Sequence, residues 1–418
     1  MDSSTPSGSW RSRQAPFVPT RRTQRTALWG IIVAVFINGT GVGSVLPVLP
    51  LFLRERGGSY TMVGVVVGAN LVAQFLGQYP AGRLSDRVGR RPLMIGGLVV
   101  AGTAIAAFAL PLSIGWLIAL RFVQGLGAAA FRPGSRAVVA DLVPAQERGI
   151  AYGWLAGADL SGLIVGPALG GLLAVFGRRT VFEVTGLALL LAAMVVAFAL
   201  ESRRVPLAAD ARPPVQTAAV VRAGVSAVRG LAMLSLGIGF VYGVYNVVWS
   251  LYMKALGASD WVVGLSFTLF ALPLVLTAPL AGWASDRLDR RWLAVGGTAT
   301  TALLAPIYPF LTSIPAVIGV GIIEGSSAAF AEPSINAFLM SAVPAEQRGR
   351  ALGTVGTAEA AAKAVGALIG GTLFGLGLWV PFVISGVVGL VLIGLSLPWL
   401  RAAGRDIAVV HTVALADG

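Results

Sequence analysis

The chain has 418 residues, 56% hydrophobic and 12% charged, with a mean hydropathy of +0.82, a composition that belongs in lipid and leaves almost no room for a soluble domain. There is no cysteine, one histidine (His411, in the C-terminal tail) and only two lysines, Lys254 and Lys363, neither behind a Gly-rich loop; this removes thiolate and histidine metal sites, Ser-His-Asp catalysis and a P-loop ATP motor. Neither an enzyme nor a cofactor or metal site is expected.

A basic stretch at 1–26, with Arg11, Arg13, Arg21, Arg22 and Arg25, leads into an apolar run with no clear cleavage site, which reads as an uncleaved anchor. Twelve such runs of about twenty residues follow one another, each able to cross a ~30 Å hydrocarbon core as a helix. The predicted spans are 27–53, 61–82, 92–112, 114–140, 150–177 and 180–200, then 231–253, 262–284, 292–312, 314–340, 350–376 and 379–400. They make an all-α integral membrane protein of two six-helix bundles, 27–200 and 231–400, joined by a polar Arg- and Pro-containing linker at 201–230 and ending in a tail at 401–418. With the N-terminus in the cytoplasm, 22 of the 31 Lys and Arg residues lie in cytoplasmic segments, 5 in external loops (Arg54, Arg56, Arg178, Arg179 and Lys254) and 4 within spans. This positive-inside asymmetry puts both termini in the cytoplasm and accounts for the net charge of +13 without nucleic acid. The excess of Arg over Lys, with no eukaryotic targeting element, points to a bacterial inner (plasma) membrane.

The two bundles repeat each other at an offset of 200 residues. Gly82, Ser85-Asp86-Arg87 and Arg90-Arg91 recur as Gly282, Ser285-Asp286-Arg287 and Arg290-Arg291, and Gly96-Gly97 as Gly296-Gly297. Val143-Pro144-Ala145 with Arg148-Gly149 recurs as Val343-Pro344-Ala345 with Arg348-Gly349, and Gly166, Gly170 and Gly171 recur as Gly366, Gly370 and Gly371. Six spans being an even number, the halves enter the membrane in the same orientation about an axis along its normal, with a cavity between them near the midplane.

From Ala27 to Leu400 the chain resembles the twelve-helix, drug:proton antiporter-like branch of the major facilitator superfamily, and three motifs carry the resemblance. In the loop after the second span, Gly82, Leu84, Asp86, Arg87, Gly89, Arg90 and Arg91 resemble the family's Gly-x-Leu-x-Asp-Arg-x-Gly-Arg-Arg signature. Gly82 is expected to allow close helix approach and Gly89 a turn, while Asp86 and the arginines form hydrogen bonds and ion pairs, with Asp141 the natural partner of Arg87 or Arg90. The resemblance implies a latch for the outward-facing state, stronger in the first half because Asp289 and Ser341 replace Gly89 and Asp141 in the second. In the fourth span Arg121, Gln124, Gly125 and Gly127 resemble Arg-x-x-Gln-Gly-x-Gly, which implicates Arg121 in proton transfer; the alternative has it snorkel to the external face. In the fifth, Gly162, Gly166, Pro167, Gly170 and Gly171 resemble the Gly-x-x-x-Gly-Pro-x-x-Gly-Gly element of exporters that exchange substrate for protons. Gly162, Gly166 and Gly170 at i, i+4, i+8 form a smooth packing face, which by itself is also ordinary helix packing.

Four acids lie deep within spans: Asp159, Glu324, Glu332 and Glu359. Asp159 and Glu359 are repeat equivalents about ten residues into their spans, ~15 Å deep. A carboxyl there is stable with a bound proton or beside a cation, which is what proton loading and unloading requires. Asp159, with no basic neighbour in its own helix, is the first choice; Glu359 has Lys363 one turn on, a pair equally readable as structural, and Glu324 repeats the position of Gln124. Glu332 stands at the repeat position of Arg132, a candidate cross-half gate. For the substrate cavity, Tyr242, Tyr245, Asn246 and Trp249 share a helix face in the seventh span, though Trp249 and Tyr252 equally suit an interfacial belt; Asn38, Asn70, Gln74 and Arg132 are further polar candidates. The expectation is a monomeric proton-coupled antiporter, powered by the proton gradient, that exports lipophilic or amphiphilic molecules by alternating access. Its partners are the substrate, protons and membrane lipids. The alternatives are a facilitator or proton symporter for a sugar, nutrient or organic anion bound by Arg132 and Arg136, and a lipid flippase.

Overall fold

The computed structural model describes residues 21–200 and 218–416 except Ala145, Ala345 and Glu346, with side chains undescribed at 21–23, Asp86, 218–223 and 407–416. Within these residues the chain forms α1 (Arg21–Glu55), α2 (Tyr60–Val88), α3 (Arg90–Ala106), α4 (Ile114–Leu142), α5 (Arg148–Leu173), α6 (Arg178–Ala199), α7 (Ala218–Ala255), α8 (Asp260–Leu276), α9 (Ala278–Arg287), α10 (Arg290–Leu304), α11 (Ile314–Ala342), α12 (Arg348–Leu376) and α13 (Val380–Ala416). Helices are what lipid allows, since each backbone donor and acceptor is satisfied within its own segment. Eleven are long and apolar enough to cross a membrane, and α8 with α9 makes a twelfth span bent by 47°. The bend follows from proline chemistry. Pro279 opens α9 without a backbone donor, and Thr277 at the break bonds through its hydroxyl to the Pro273 carbonyl at 2.7 Å.

The twelve expected spans are thus present, with two shifts at the margins. Helix α7 starts at Ala218, inside the stretch expected as linker, and α13 runs to Ala416, through most of the expected tail. The tail 1–20 and linker residues 201–217 lie outside the described residues. Turn chemistry follows the 200-residue repeat. Gly57 and Gly257, at φ 79° and 86°, take the left-handed turn before α2 and α8, where Ser59 and Ser259 cap the next helix through the amides of Met62 and Val262.

Each half packs as a unit, α1 against α5 and α6, α7 against α12 and α13, and the halves meet where α2 lies on α12 and α5 on α8. The apolar core is not uniform along this seam. Towards the face carrying the 56–59 and 256–259 turns, one cluster runs across both halves, joining Leu49, Phe52 and Phe182 to Tyr252, Tyr308 and Phe382. Towards the opposite face, which carries Arg90, Arg91, Arg290 and Arg291, the core divides into two separate clusters, one around Leu98 and Phe131 and one around Leu234 and Phe338. The molecule is closed at the first face and parted at this basic face.

Candidate functional site

Two cavities stand at repeat-equivalent places in the two halves. The first, about 400 Å³, lies among α1, α4 and α5 and is lined by Asn38, Phe131, Arg132, Ser135, Arg136, Tyr152 and Asp159. The second, about 160 Å³, lies among α7, α8, α11 and α12 and is lined by Tyr242, Leu274, Glu332, Asn336, Leu352 and Glu359. Arg132, Arg136 and Glu332 are exposed although each sits well inside a span, so they face a water-filled space, since lipid contact at that depth would leave the charges unsolvated.

Asp159 does have a basic partner. Arg132 on α4 donates to it at 2.5 Å, an approach invisible in sequence because 27 residues separate the two. Across the repeat, Glu359 sits 3.7 Å from Lys363, whose ammonium lies 5.9 Å from the centre of the Tyr242 ring. Glu332 makes no ion pair with Arg132.

Glu324 is buried differently. It is fully enclosed, with one carboxyl oxygen 2.6 Å from the Tyr308 hydroxyl, which donates to it, and the other without a partner among the described residues. Around it Tyr308 meets Tyr245 and Trp249 edge-on at 6.1 and 5.0 Å and packs on Phe382 at 5.6 Å. Tyr245 and Trp249, expected as cavity wall, belong to this buried cluster instead, and Trp249 donates to Ser266 at 2.9 Å. Neither Trp249 nor Tyr252 is a belt residue, both being buried. Tyr242 alone of the predicted aromatic face lines a cavity, while Asn246 is half-buried and lines neither. The aromatic periodicity was real, but it faces the second half's own core.

In the first half the equivalent level is polar and holds a buried cation that has no carboxylate partner among the described residues. Arg121 is buried, not snorkelling, and donates to Gln124; Asn70 donates to Gln124 at 3.0 Å and Gln74 to Asn70 at 2.7 Å. Asn70 thus ties α2 to α4, Gln74 bonds within α2, and neither lines either cavity.

At the basic face Gly89, at φ 97°, makes the expected turn, and Arg90, not Arg87, pairs with Asp141 and also reaches the Ala137 carbonyl. Arg91 bonds to the Ala197 carbonyl at 2.7 Å. Gly82 is not a close-packing glycine: a methyl group there would meet nothing within 4 Å. The side chain of Asp86 lies outside the described residues. In the second half Asp289 caps α10 and pairs with Arg291 at 2.5 Å, an arrangement local to the loop. A double-mutant cycle of Arg90→Ala and Asp141→Ala is expected to give a coupling of about 1 kcal/mol, as befits a partly exposed pair; thermal unfolding in detergent measures it.

The glycines of the fifth span do what their spacing predicts. Gly162, Gly166 and Gly170 let α5 lie directly on the α1 backbone at Phe36, Thr40 and Ser44, while Gly171 faces the other way, onto Asp260 and Gly264 of α8. Pro167 sits at this crossing, its carbonyl against Gly264. Nearby, Thr268 of α8 donates to the Ile164 carbonyl at 2.6 Å, and Thr372 pairs with Thr61 at 3.1 Å.

Sequence reasoning missed the ionic part of this closure. Arg178 reaches from the start of α6 to Asp260 at 2.7 and 3.1 Å and to Glu55 at 3.0 Å, and Lys254 adds a bond to Asp260 at 2.9 Å. The repeat held a signal: Arg178 and Asp260 correspond to Leu378 and Tyr60, and this second crossing is made by Tyr60 against Phe374, with Arg54 over the tyrosine ring. Tyr308 was missed too, its counterpart being Phe108.

The family model described as Major Facilitator Superfamily matches the chain twice, over residues 31–242 and 231–410, one match for each half. Multidrug resistance protein 2 of Bacillus subtilis is 26% identical over 90% of this chain and 96% of its own length, and a multi-drug resistance efflux pump PmrA homolog of Lactococcus lactis is 26% identical over 82% and 87%. A bacterial homolog of the human lysosomal transporter Spinster, solved in an inward-facing and occupied conformation, superposes with a TM-score of 0.74 at 15% identity, over 93% of this chain and 98% of that one. Two matched halves, twelve spans and two repeat-related cavities beside the seam agree with one another: the chain is a multi-pass membrane protein of the major facilitator superfamily, a transporter and not an enzyme.

Proposed function

We propose that the chain is a proton-coupled antiporter that exports lipophilic or amphiphilic drug-like molecules by alternating access. The names of its relatives support the substrate class, and the motif glycines of α5 support the direction. With the basic face in the cytoplasm, as the arginine distribution predicts, the conformer described is the one open inwards. It works as a monomer in the bacterial plasma membrane, with no cofactor beyond the proton gradient.

One observation carries the coupling. Glu324 is a fully buried carboxyl whose described partner is a single hydroxyl, with no cation to offset its charge. A bare carboxylate in such surroundings costs several kcal/mol, and a proton removes that cost. Asp159 and Glu359 already have Arg132 and Lys363 to offset theirs. Glu324 is therefore the proton carrier in this reading, replacing Asp159 as first choice, and Asp159 acts through Arg132 on the cavity. The proton is taken up when the closed face opens to the outside and given up as substrate enters from the cytoplasm.

Proteoliposomes holding an imposed pH gradient test this with a lipophilic drug. Glu324→Gln is expected to abolish drug-driven discharge of the gradient while drug binding persists, and Asp159→Asn to slow it with the coupling intact. Retention of full discharge in Glu324→Gln with its loss in Asp159→Asn would return the carrier to Asp159. If no compound discharges the gradient in the wild type, the antiport reading falls.

A further inference from the structure

The two cavities are matched in place and opposed in charge. Position 132 is Arg where 332 is Glu, 136 is Arg where 336 is Asn, and 159 and 359 are both acidic. In each cavity one ion pair is satisfied internally, Arg132 with Asp159 and Lys363 with Glu359. What remains is one charge on each side. The Arg136 guanidinium has no ion pair or hydrogen bond among the described residues; only its carbonyl is engaged, by the Tyr152 hydroxyl at 3.2 Å. The Glu332 carboxylate makes no ion pair or hydrogen bond among the described residues; Glu359 lines the same cavity, and the one nearby cation, Lys363, acts on both carboxylates, which leaves this side one negative charge in excess.

These two groups lie about one helical turn apart in depth. Arg136 is six residues and Glu332 ten residues from the basic-face ends of α4 and α11, about 9 and 15 Å in. Both cavities border the seam, since α5 lines the first, α8 the second, and α5 and α8 pack on each other. A molecule entering at the parted basic face therefore meets an unpaired cation, Arg136, on one wall and, around Glu332, an excess of one negative charge on the other. A ligand that pairs with both sides binds more tightly than one that pairs with either.

We infer that the preferred substrates of this transporter are amphoteric: a hydrophobic body carrying a carboxylate that pairs with Arg136 and an amine or other cation that pairs with Glu332. This rests on the export reading above and narrows its substrate class. It also separates the chain from a pump for simple lipophilic cations, for which Arg136 would be a repulsive neighbour.

Equilibrium binding to the purified transporter, with no gradient, isolates this from proton coupling. Rhodamine 110 and rhodamine 123 share one cationic ring system and differ in a free carboxylate against its methyl ester, and fluorescein supplies the carboxylate on a ring without the cation. Rhodamine 110 is expected to bind about tenfold more tightly than rhodamine 123, one charged hydrogen-bonded contact. Arg136→Gln should erase that difference by weakening rhodamine 110 alone, and Arg136→Lys should keep part of it, which a folding defect would not do. Glu332→Gln should weaken both rhodamines and spare fluorescein. Equal binding of acid and ester in the wild type, binding of neither, or a preference that survives Arg136→Gln overturns the proposal. In the last case Arg136 and Glu332 are partners for each other when the basic face closes. If rhodamine 123 alone discharges a pH gradient, export stands and the amphoteric assignment falls.

Discussion

Arg178→Ala is expected to open the closed face. Arg178 holds Asp260 of the other half in a two-bond fork, and both groups are largely shielded, with side chains 19% and 15% exposed. Removing the fork leaves Asp260 to Lys254, on its own half, and Glu55 to water, so nothing ionic ties α6 to α8. A charged fork of this kind contributes about 2 kcal/mol, which moves a two-state ratio roughly 30-fold. The absence of cysteine makes the measurement direct, because cysteines introduced at the exposed Phe176 and Leu376, one on each half at this face, are the only labelling sites. Spin-label distances between them should show a much larger long-distance population in Arg178→Ala than in the wild type. Asp260→Asn, which keeps shape and removes charge, should give a smaller shift of the same sign. An unchanged distance distribution in both would mean that the glycine crossings alone hold the face shut.

The fold was legible because its signals are repetitive and local. Twelve apolar runs, the 200-residue offset and the Gly162, Gly166 and Gly170 face each arise from one helix at a time, and helices in lipid have little freedom to contradict them. What was not legible depends on which helices touch. Asp159 looked isolated because Arg132 belongs to another helix, and Glu324 looked like one acid among four because nothing in its own span announces an aromatic enclosure. Tyr245 and Trp249 have the spacing of a cavity wall and the surroundings of a core, since period alone gives a helix two faces without saying which meets water. Gly82 sits in the most specific motif and packs against nothing, so motif membership and close packing are separate properties even in one residue. In the sequence Arg178 reads only as an external charge that sets topology. The broken repeat at 178/378 and 260/60 was the available clue, because a position that one half makes ionic and the other aromatic serves more than orientation.

The same substitution at two glycines should separate the stability of a half from the balance between halves. At Gly170 a methyl group would stand 2.1 Å from the Ser44 carbonyl oxygen and 2.7 Å from its carbon, and both belong to α1, a backbone of the same half that cannot step aside without unpacking. At Gly371 it would stand 1.9 Å from the Tyr60 carbonyl oxygen, but α2 belongs to the other half, and the halves can part. Overpacking costs about 1–3 kcal/mol when the structure must absorb it. Gly170→Ala is therefore expected to lower the unfolding temperature in detergent by several degrees. Gly371→Ala should leave it nearly unchanged and instead lengthen the distance between labels at Phe176 and Leu376. Gly82→Ala, with nothing within 4 Å, supplies the baseline and should match or slightly exceed the wild type through helix propensity. Gly370→Ala, whose nearest approach is 3.2 Å to Val244, should fall between the baseline and Gly170→Ala. If Gly170→Ala and Gly371→Ala lower the unfolding temperature equally and neither moves the labels, the seam between α2 and α12 is part of one rigid core, and the transport cycle has to open elsewhere.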